Sequence, residues 1–174
     1  VGDGDAGSTF AQGAAAVLAA LEADALSTGE QARLAQELAA LIEHSMGGSS
    51  GVLLSIMLTA SAQALAESAS WPEALERGIA RMQETGGARQ GDRTMLDALI
   101  PAVAALRERP GDLQAAAAAA REGAAATATM QKAQAGRSAS VRAEALEGVV
   151  DPGAEAVARA FEAFAQAAIS AHSA

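Results

Sequence analysis

The chain has 174 residues with a formal net charge of −9 and no cysteine, and its 51% apolar share includes only three Phe, one Trp and no Tyr. That length suits one domain with a proper core, and the missing cysteines exclude disulfides, thiolate metal sites and a cysteine nucleophile. An acidic balance with so few stacking rings offers no face to a phosphate backbone, so no nucleic-acid partner is expected.

Much of the apolar share is alanine, the strongest helix former, so the expected fold is all-α with no sheet. The chain opens on Gly2-Asp3-Gly4-Asp5-Ala6-Gly7-Ser8-Thr9, two carboxylates spaced by glycines ahead of a helix expected from about Ser8. Alternate carboxylates can converge on one hard cation, and the amides of a helix start can face an anion. The same octet also fits a plain turn with Asp5 or Ser8 as N-cap. Phe10, Ala14, Val17, Leu18 and Leu21 then recur at helical spacing, as do Leu34, Leu38, Leu41 and Ile42 in a second amphipathic helix. Ser27-Thr28-Gly29-Glu30 leads into that second helix with the hydroxyl-to-Glu spacing of a capping box.

A third helix is expected from about Gly51 to Glu67. Its apolar run, Val52 to Leu65, is broken by Ser55, Ser61 and Gln63 and is shorter than the roughly 20 residues of a membrane span. It reads as a buried helix, with no membrane partner. Ser70-Trp71-Pro72-Glu73 starts a fourth helix with Pro in its first turn and Trp71, Leu75, Ile79 and Met82 as its apolar stripe. Gly86 to Asp92 interrupts the pattern. Met95, Leu96, Leu99, Ile100, Val103 and Leu106 make a fifth helix, which Pro101 should kink or bend near its start.

Pro110-Gly111 is a turn, Asp112 to about Ala133 a long alanine-rich helix, and Gly136 to Val150 polar and irregular. The last helix should run from about Gly153 to Ala171 with Val157, Phe161, Phe164 and Ala168 facing inward. Met46, Met57, Met82 and Met130 suit core packing. His44 and His172 fall near helix ends, in capping or solvated positions.

Seven helices with short connections make one antiparallel bundle or barrel. Glycine and polar residues concentrate in four loops: Gly2 to Thr9, Gly47-Gly48-Ser49-Ser50-Gly51, Gly86 to Met95, and Gly136 to Gly153. Each pair is separated by an even number of helices, so in an up-and-down bundle all four emerge at one end. Gly47 to Gly51 offers amides and two hydroxyls, the ingredients of a phosphate nest, though a C-cap followed by an N-cap has the same composition. No loop carries the lysine of a P-loop. Arg137 and Arg142 are the cations placed to reach a phosphate, unless they are ordinary solvated charges.

Taken together, Gly2-Asp3-Gly4-Asp5-Ala6-Gly7, Gly47-Gly48-Ser49-Ser50-Gly51, Gly91-Asp92-Arg93-Thr94-Met95-Leu96-Asp97, Gly136-Arg137-Ser138-Ala139-Ser140 and Asp151-Pro152-Gly153-Ala154 resemble, in order and spacing, the nucleotide-binding domain of dihydroxyacetone kinases. The resemblance covers essentially the whole chain, as one domain over residues 1–174. It implies a barrel of eight antiparallel helices with ATP or ADP held at one end. By the same resemblance, Asp3 and Asp5 bind two Mg²⁺ ions, helped by a third aspartate five positions before Asp3. That position precedes Val1, so the resemblance implies that the family's first helix is missing here, leaving seven.

Ala6, Gly7, Ser8, Thr9, Ser49, Ser50, Gly86, Met95, Arg137, Asp151, Pro152 and Gly153 fall on the family's nucleotide-contacting positions. Ala6 stands where many relatives have histidine, and Val141 where they have tyrosine. The resemblance places the catalytic histidine on a separate ketose-binding domain or subunit, so no catalytic residue is expected in this chain. The implied activity is transfer of a phosphoryl group to dihydroxyacetone or a short ketose such as erythrulose, in the cytoplasm. The phosphoryl donor is either ATP itself or an ADP recharged by a phosphotransferase-system phosphocarrier, and a homodimer is open. Two other readings stand beside it: the nucleotide domain of a fatty-acid kinase, against which Gly91 to Met95 argues, and a non-catalytic regulatory bundle that only binds nucleotide.

Overall fold

The computed structural model describes residues 5–130 and 148–172, with side chains at 7–130 and 148–171. The helices are α1 (Asp5–Glu22), α2 (Gln31–Ser45), α3 (Gly48–Ala66), α4 (Trp71–Gly86), α5 (Leu96–Glu108), α6 (Leu113–Ala126) and α7 (Pro152–His172), with a 3₁₀ turn at Thr127–Thr129. Among the described residues there is no strand, as the alanine-rich composition requires.

The helices form two compact groups, one within Gly4–Gly87 and one within Ala88–Ala174. In the first, α2 packs on α1 and α3, and α3 packs on α4. Small residues set the spacing: Ala35, Ala39, Ala62, Ala64 and Ala74 are buried, and a Cβ on Gly78 would lie 2.5 Å from the Met57 carbonyl oxygen. Leu34, Leu38, Leu41 and Ile42 of the expected α2 stripe are only half-buried, so the alanines beside them make the closest approach. In the second group α5, α6 and α7 pack on one another, with Ala98, Ala102, Ala116, Ala120, Ala124 and Ala158 fully enclosed. Val157 and Phe161 face inward as the spacing predicts, and Met46, Met57 and Met82 are buried.

Several expectations are corrected. The capping box at Ser27 does not form: Glu30 is the N-cap of α2, and both the Ser27 amide and hydroxyl donate to the Glu37 carboxylate at 2.7 and 2.8 Å. The Ser27 amide, the largest cause, with the hydroxyl and Arg33, holds the Glu37 carboxyl below its ordinary value. The box forms instead at α4, where the Ser70 amide and hydroxyl donate to Glu73 Oε2 at 3.0 and 2.8 Å. α1 begins before Ser8 and α3 before Gly51, so part of each expected loop is helix.

α6 stops at Ala126 rather than Ala133 because Thr127 and Thr129 turn their hydroxyls onto the carbonyls of Ala124 and Ala126, tightening the last turn. Phe164 is exposed rather than inward, and Leu18 and Leu21 of the α1 stripe are exposed as well. α3 is 19 residues long and, by length and composition, able to cross a membrane, contrary to the expectation from its serines. Its buried face, which includes Ser55, Met57, Ser61 and Leu65, nevertheless packs against α2 and α4 as a core helix does. Pro101 lies within α5.

Candidate functional site

In the first group, the end of α2, the start of α3 and the end of α4 share one end, and the middle of α1 packs beside the end of α2. A Cβ on Gly13 of α1 would touch Met46 and Ile42 at the end of α2, and one on Gly86 would lie 3.0 Å from Leu53 near the start of α3. The turn between α2 and α3 is so tight that a Cβ at Gly51 would meet the Met46 carbonyl oxygen at 2.2 Å, which leaves glycine the residue that fits. α3 is entered through Gly47 with no side-chain cap. Ser49 is exposed and Ser50 half-buried in its first turn, where uncapped amides favour an anion. Gly7 and Ser8 are exposed on the first turn of α1, and Thr9 is buried.

In the second group, the start of α5, the end of α6 and the start of α7 also share one end. The loop ahead of α5 is knotted by Asp97, which is buried and accepts from the Gly91 amide at 2.6 Å and the Thr94 amide at 2.8 Å. Arg93, at φ 61°, is fully buried in the same loop. Its Nε donates to the Thr127 carbonyl at 3.2 Å and its Nη2 to the Val149 carbonyl at 2.6 Å. The Asp151 amide donates to Thr127 Oγ1 at 2.8 Å, while Asp151 Oδ2 caps α7 by accepting from the Ala154 amide at 3.0 Å.

Gly153 brings the two predicted segments together: its Cβ would lie 3.1 Å from Asp151 Oδ2 and 3.2 Å from Met95 Cβ. Outside this cluster, Arg121 of α6 spans Glu155 and Glu162 of α7, and Arg159 donates to Glu155. Those hydrogen bonds, Arg121 first and Arg159 second, hold the Glu155 carboxyl below its ordinary value. The bond from Arg121 lowers Glu162, and the two carboxylates raise Arg121.

Of the predicted site residues, Ser49, Ser50 and Gly86 thus share one end of the first group, and Met95 and Asp151 both flank Gly153 in the other. Pro152 is half-buried as the first residue of α7. Asp3, Arg137 and Arg142 lie outside the described residues, as do the side chains of Asp5, Ala6 and His172. The backbone of Asp5 and Ala6 opens α1. Among the described residues no group of three His, Cys, Asp or Glu could hold a metal ion. His44 is exposed, its Nδ1 3.2 Å from the Ala40 carbonyl of its own helix. An open groove of about 830 Å³ along α3 and α4, lined by Thr59, Gln63, Arg77 and Arg81 among others, contains none of the predicted residues.

Arg93, Asp97 and Thr127 were not among the predicted site residues. The motif containing the first two was visible, but nothing in a sequence distinguishes a buried arginine from a solvated one.

Residues 1–166 match the family model described as DAK2 domain. The chain is 46% identical over 166 residues to the dihydroxyacetone kinase of Citrobacter freundii, a match covering 95% of this chain and 30% of that protein. It is 44% identical over 181 residues to a putative 3,4-dihydroxy-2-butanone kinase of Solanum lycopersicum, covering 96% and 30% respectively. Against the human triokinase/FMN cyclase the identity is 39% over 167 residues, covering 90% and 28%. The chain therefore spans about 30% of the length of the curated relatives it matches. Two crystal structures of the C. freundii kinase superpose on 96% of the chain and 29% of theirs. The native form has TM-score 0.84 at 44% identity, and the complex with AMP-PNP and Mg²⁺ has TM-score 0.83 at 43% identity.

Proposed function

The chain belongs to the DAK2 domain family, and from that premise we propose that it is the nucleotide- and Mg²⁺-binding domain of a kinase that phosphorylates dihydroxyacetone or a related short ketose. Residues 1–174 act as one domain. What carries the reading is the likeness, at 43% identity, to a kinase solved with AMP-PNP and Mg²⁺. The local chemistry agrees with it. Ala6 to Thr9 and Ser49-Ser50 lie at the starts of α1 and α3, where amides and hydroxyls suit phosphate oxygens. Gly86, Met95 and Asp151 to Gly153 complete the nucleotide contacts, with Arg137 as the cation for the phosphates.

Asp3 and Asp5 are oxygen donors of the kind a hard cation takes, and Asp5 is the first residue of α1, so the donor set fits Mg²⁺. Bound there, two Mg²⁺ ions would neutralise phosphate charge as phosphoryl transfer requires. This chain's own part is to bind and orient the nucleotide. The ketose, and the histidine that holds it, belong to a partner domain. The greater length of the relatives favours a partner joined to this chain over a separate subunit served by a phosphocarrier. A cysteine-free chain suits the cytoplasm.

Calorimetric titration with AMP-PNP, with and without Mg²⁺, tests the reading. Binding should need the metal and fall by about a hundredfold in Asp3→Ala or Asp5→Ala, roughly 2.7 kcal/mol, with the melting temperature unchanged. Absence of Mg²⁺-dependent binding by the parent rejects it. Adding a ketose-binding domain and measuring phosphate transfer to dihydroxyacetone then separates a kinase from a bundle that only binds.

A further inference from the structure

We infer that Arg93 and Thr127 are positioning residues, a buried latch that fastens the start of α7 to the loop ahead of α5 and so sets Met95 and Asp151-Pro152-Gly153 against one another. Arginine is almost never fully enclosed, yet Arg93 has 0% exposure. It also adopts φ 61°, a conformation that costs a residue bearing a Cβ. A buried cation is a poor way to gain stability alone, since apolar packing of equal volume does as well or better. What the guanidinium does here is reach two backbone carbonyls that lie far apart in sequence, those of Thr127 and Val149. Its planar fork can hold both at once.

Thr127, also with 0% exposure, supplies the second half. Its hydroxyl donates to the Ala124 carbonyl at 2.6 Å and accepts the Asp151 amide at 2.8 Å, so a single atom joins the end of α6 to the residue that caps α7. Asp97 fixes the loop from which Arg93 projects, by holding the Gly91 and Thr94 amides. The segment before α7 is therefore held on two sides, by Arg93 at Val149 and by Thr127 at Asp151. Gly153 then comes to rest beside Met95. The functional half of this inference rests on the nucleotide-site reading above; the structural half does not.

The test is amide hydrogen exchange of the 174-residue chain without nucleotide, paired with AMP-PNP titration in Mg²⁺. Thr127→Val keeps shape but removes the hydroxyl. It should speed exchange at residues 148–155 about tenfold, leave Leu99 to Val103 of α5 unchanged, and weaken AMP-PNP binding about tenfold, the effect of losing one buried hydrogen bond. Thr127→Ser should restore both. Arg93→Lys, which keeps the charge but loses the fork, should show the same selective loss. Unchanged exchange at 148–155 in Thr127→Val overturns the latch, as does a serine variant no better than valine. Faster exchange with undiminished AMP-PNP affinity overturns its role in binding. If Thr127→Val loses protection everywhere, Arg93→Lys decides, and parental exchange in that variant rejects the latch. A parent with the latch but no Mg²⁺-dependent affinity rejects the nucleotide reading and, with it, the functional half.

Discussion

Replacing Gly123 by alanine should destabilise this protein, although the same change in an open helix would stabilise it. Alanine in a helix interior ordinarily gains about 0.5–1 kcal/mol over glycine. At Gly123 of α6 the added Cβ would lie 2.0 Å from the Asp97 carbonyl oxygen and 3.0 Å from Pro101 Cγ. The two obstacles share a cause. Pro101 has no N–H to give the carbonyl four residues earlier, so the Asp97 carbonyl lacks its usual helical donor, and α6 approaches it there through a residue with no side chain.

The obstacle is backbone and cannot rotate away. Moving it from 2.0 Å to the 3.4 Å where ordinary contact begins needs a displacement of roughly 1.4 Å between α5 and α6. A gap of half that size already forfeits about a quarter to a half of the dispersion energy at the contacts it opens. The cost should fall at the upper end of the ~1–3 kcal/mol range for overpacking. Against a helix-propensity gain of at most ~1 kcal/mol, the net loss is about 2 kcal/mol, which lowers the melting temperature by roughly 4–8 °C for a chain of this size. Calorimetry of Gly123→Ala beside Ala118→Gly, an exposed position on the same helix, separates the two effects. The control should lose about 1 kcal/mol from propensity alone. A Gly123→Ala protein that melts at or above the parent's temperature refutes the argument.

Glu155→Gln should cost about 1 kcal/mol at pH 7, because it removes the carboxylate that receives Arg121 and Arg159. The folded-state carboxyl is lowered, so its stabilisation is present above the ordinary value of 4.5 and is lost as pH falls through the folded value. Urea midpoints of parent and variant should therefore converge in acid, and a gap that persists at low pH contradicts the assignment. Phe161→Ala should cost about 3 kcal/mol or more, whereas Phe164→Ala, at 59% exposure, removes little beyond an edge-to-face contact at 6.3 Å worth ~1 kcal/mol. Equal losses in thermal melts would place both rings in the core. Ser70→Ala should cost ~1 kcal/mol through the α4 capping box, measured by denaturant midpoint.

The helices were readable because their signals are local. Alanine content and apolar spacing act within a turn or two of where they stand, and the helix starts expected at Ser70 and Asp112 are those the structure contains. The errors arose where a distant residue competes for a local one. Ser27 has the spacing of a cap, but Glu37, about two helix turns beyond the Glu30 of that pattern, takes both its donors. The alanine run promised a helix to Ala133, yet the threonine hydroxyls end it at Ala126. Exposure was misjudged at Phe164, and undecided at Leu18 and Leu21, because periodicity shows which residues share a face but not whether another helix covers it.

The sequence by itself determined the fold class, the number of helices among the described residues and the family, since composition and ordered motifs survive without coordinates. It also placed the candidate nucleotide residues in loops, but Ala6 to Thr9, Ser49, Ser50, Gly86, Pro152 and Gly153 stand in the terminal turns of helices. Only the tertiary structure decided which residues hold Met95 and Asp151 to Gly153 together. The Arg93 guanidinium reaches carbonyls 34 and 56 residues away, and the Thr127 hydroxyl an amide 24 residues away. Such bonds depend on how helices pack, and hydrogen-bonding capacity written in a sequence does not name its partner until packing removes the water that would otherwise satisfy it.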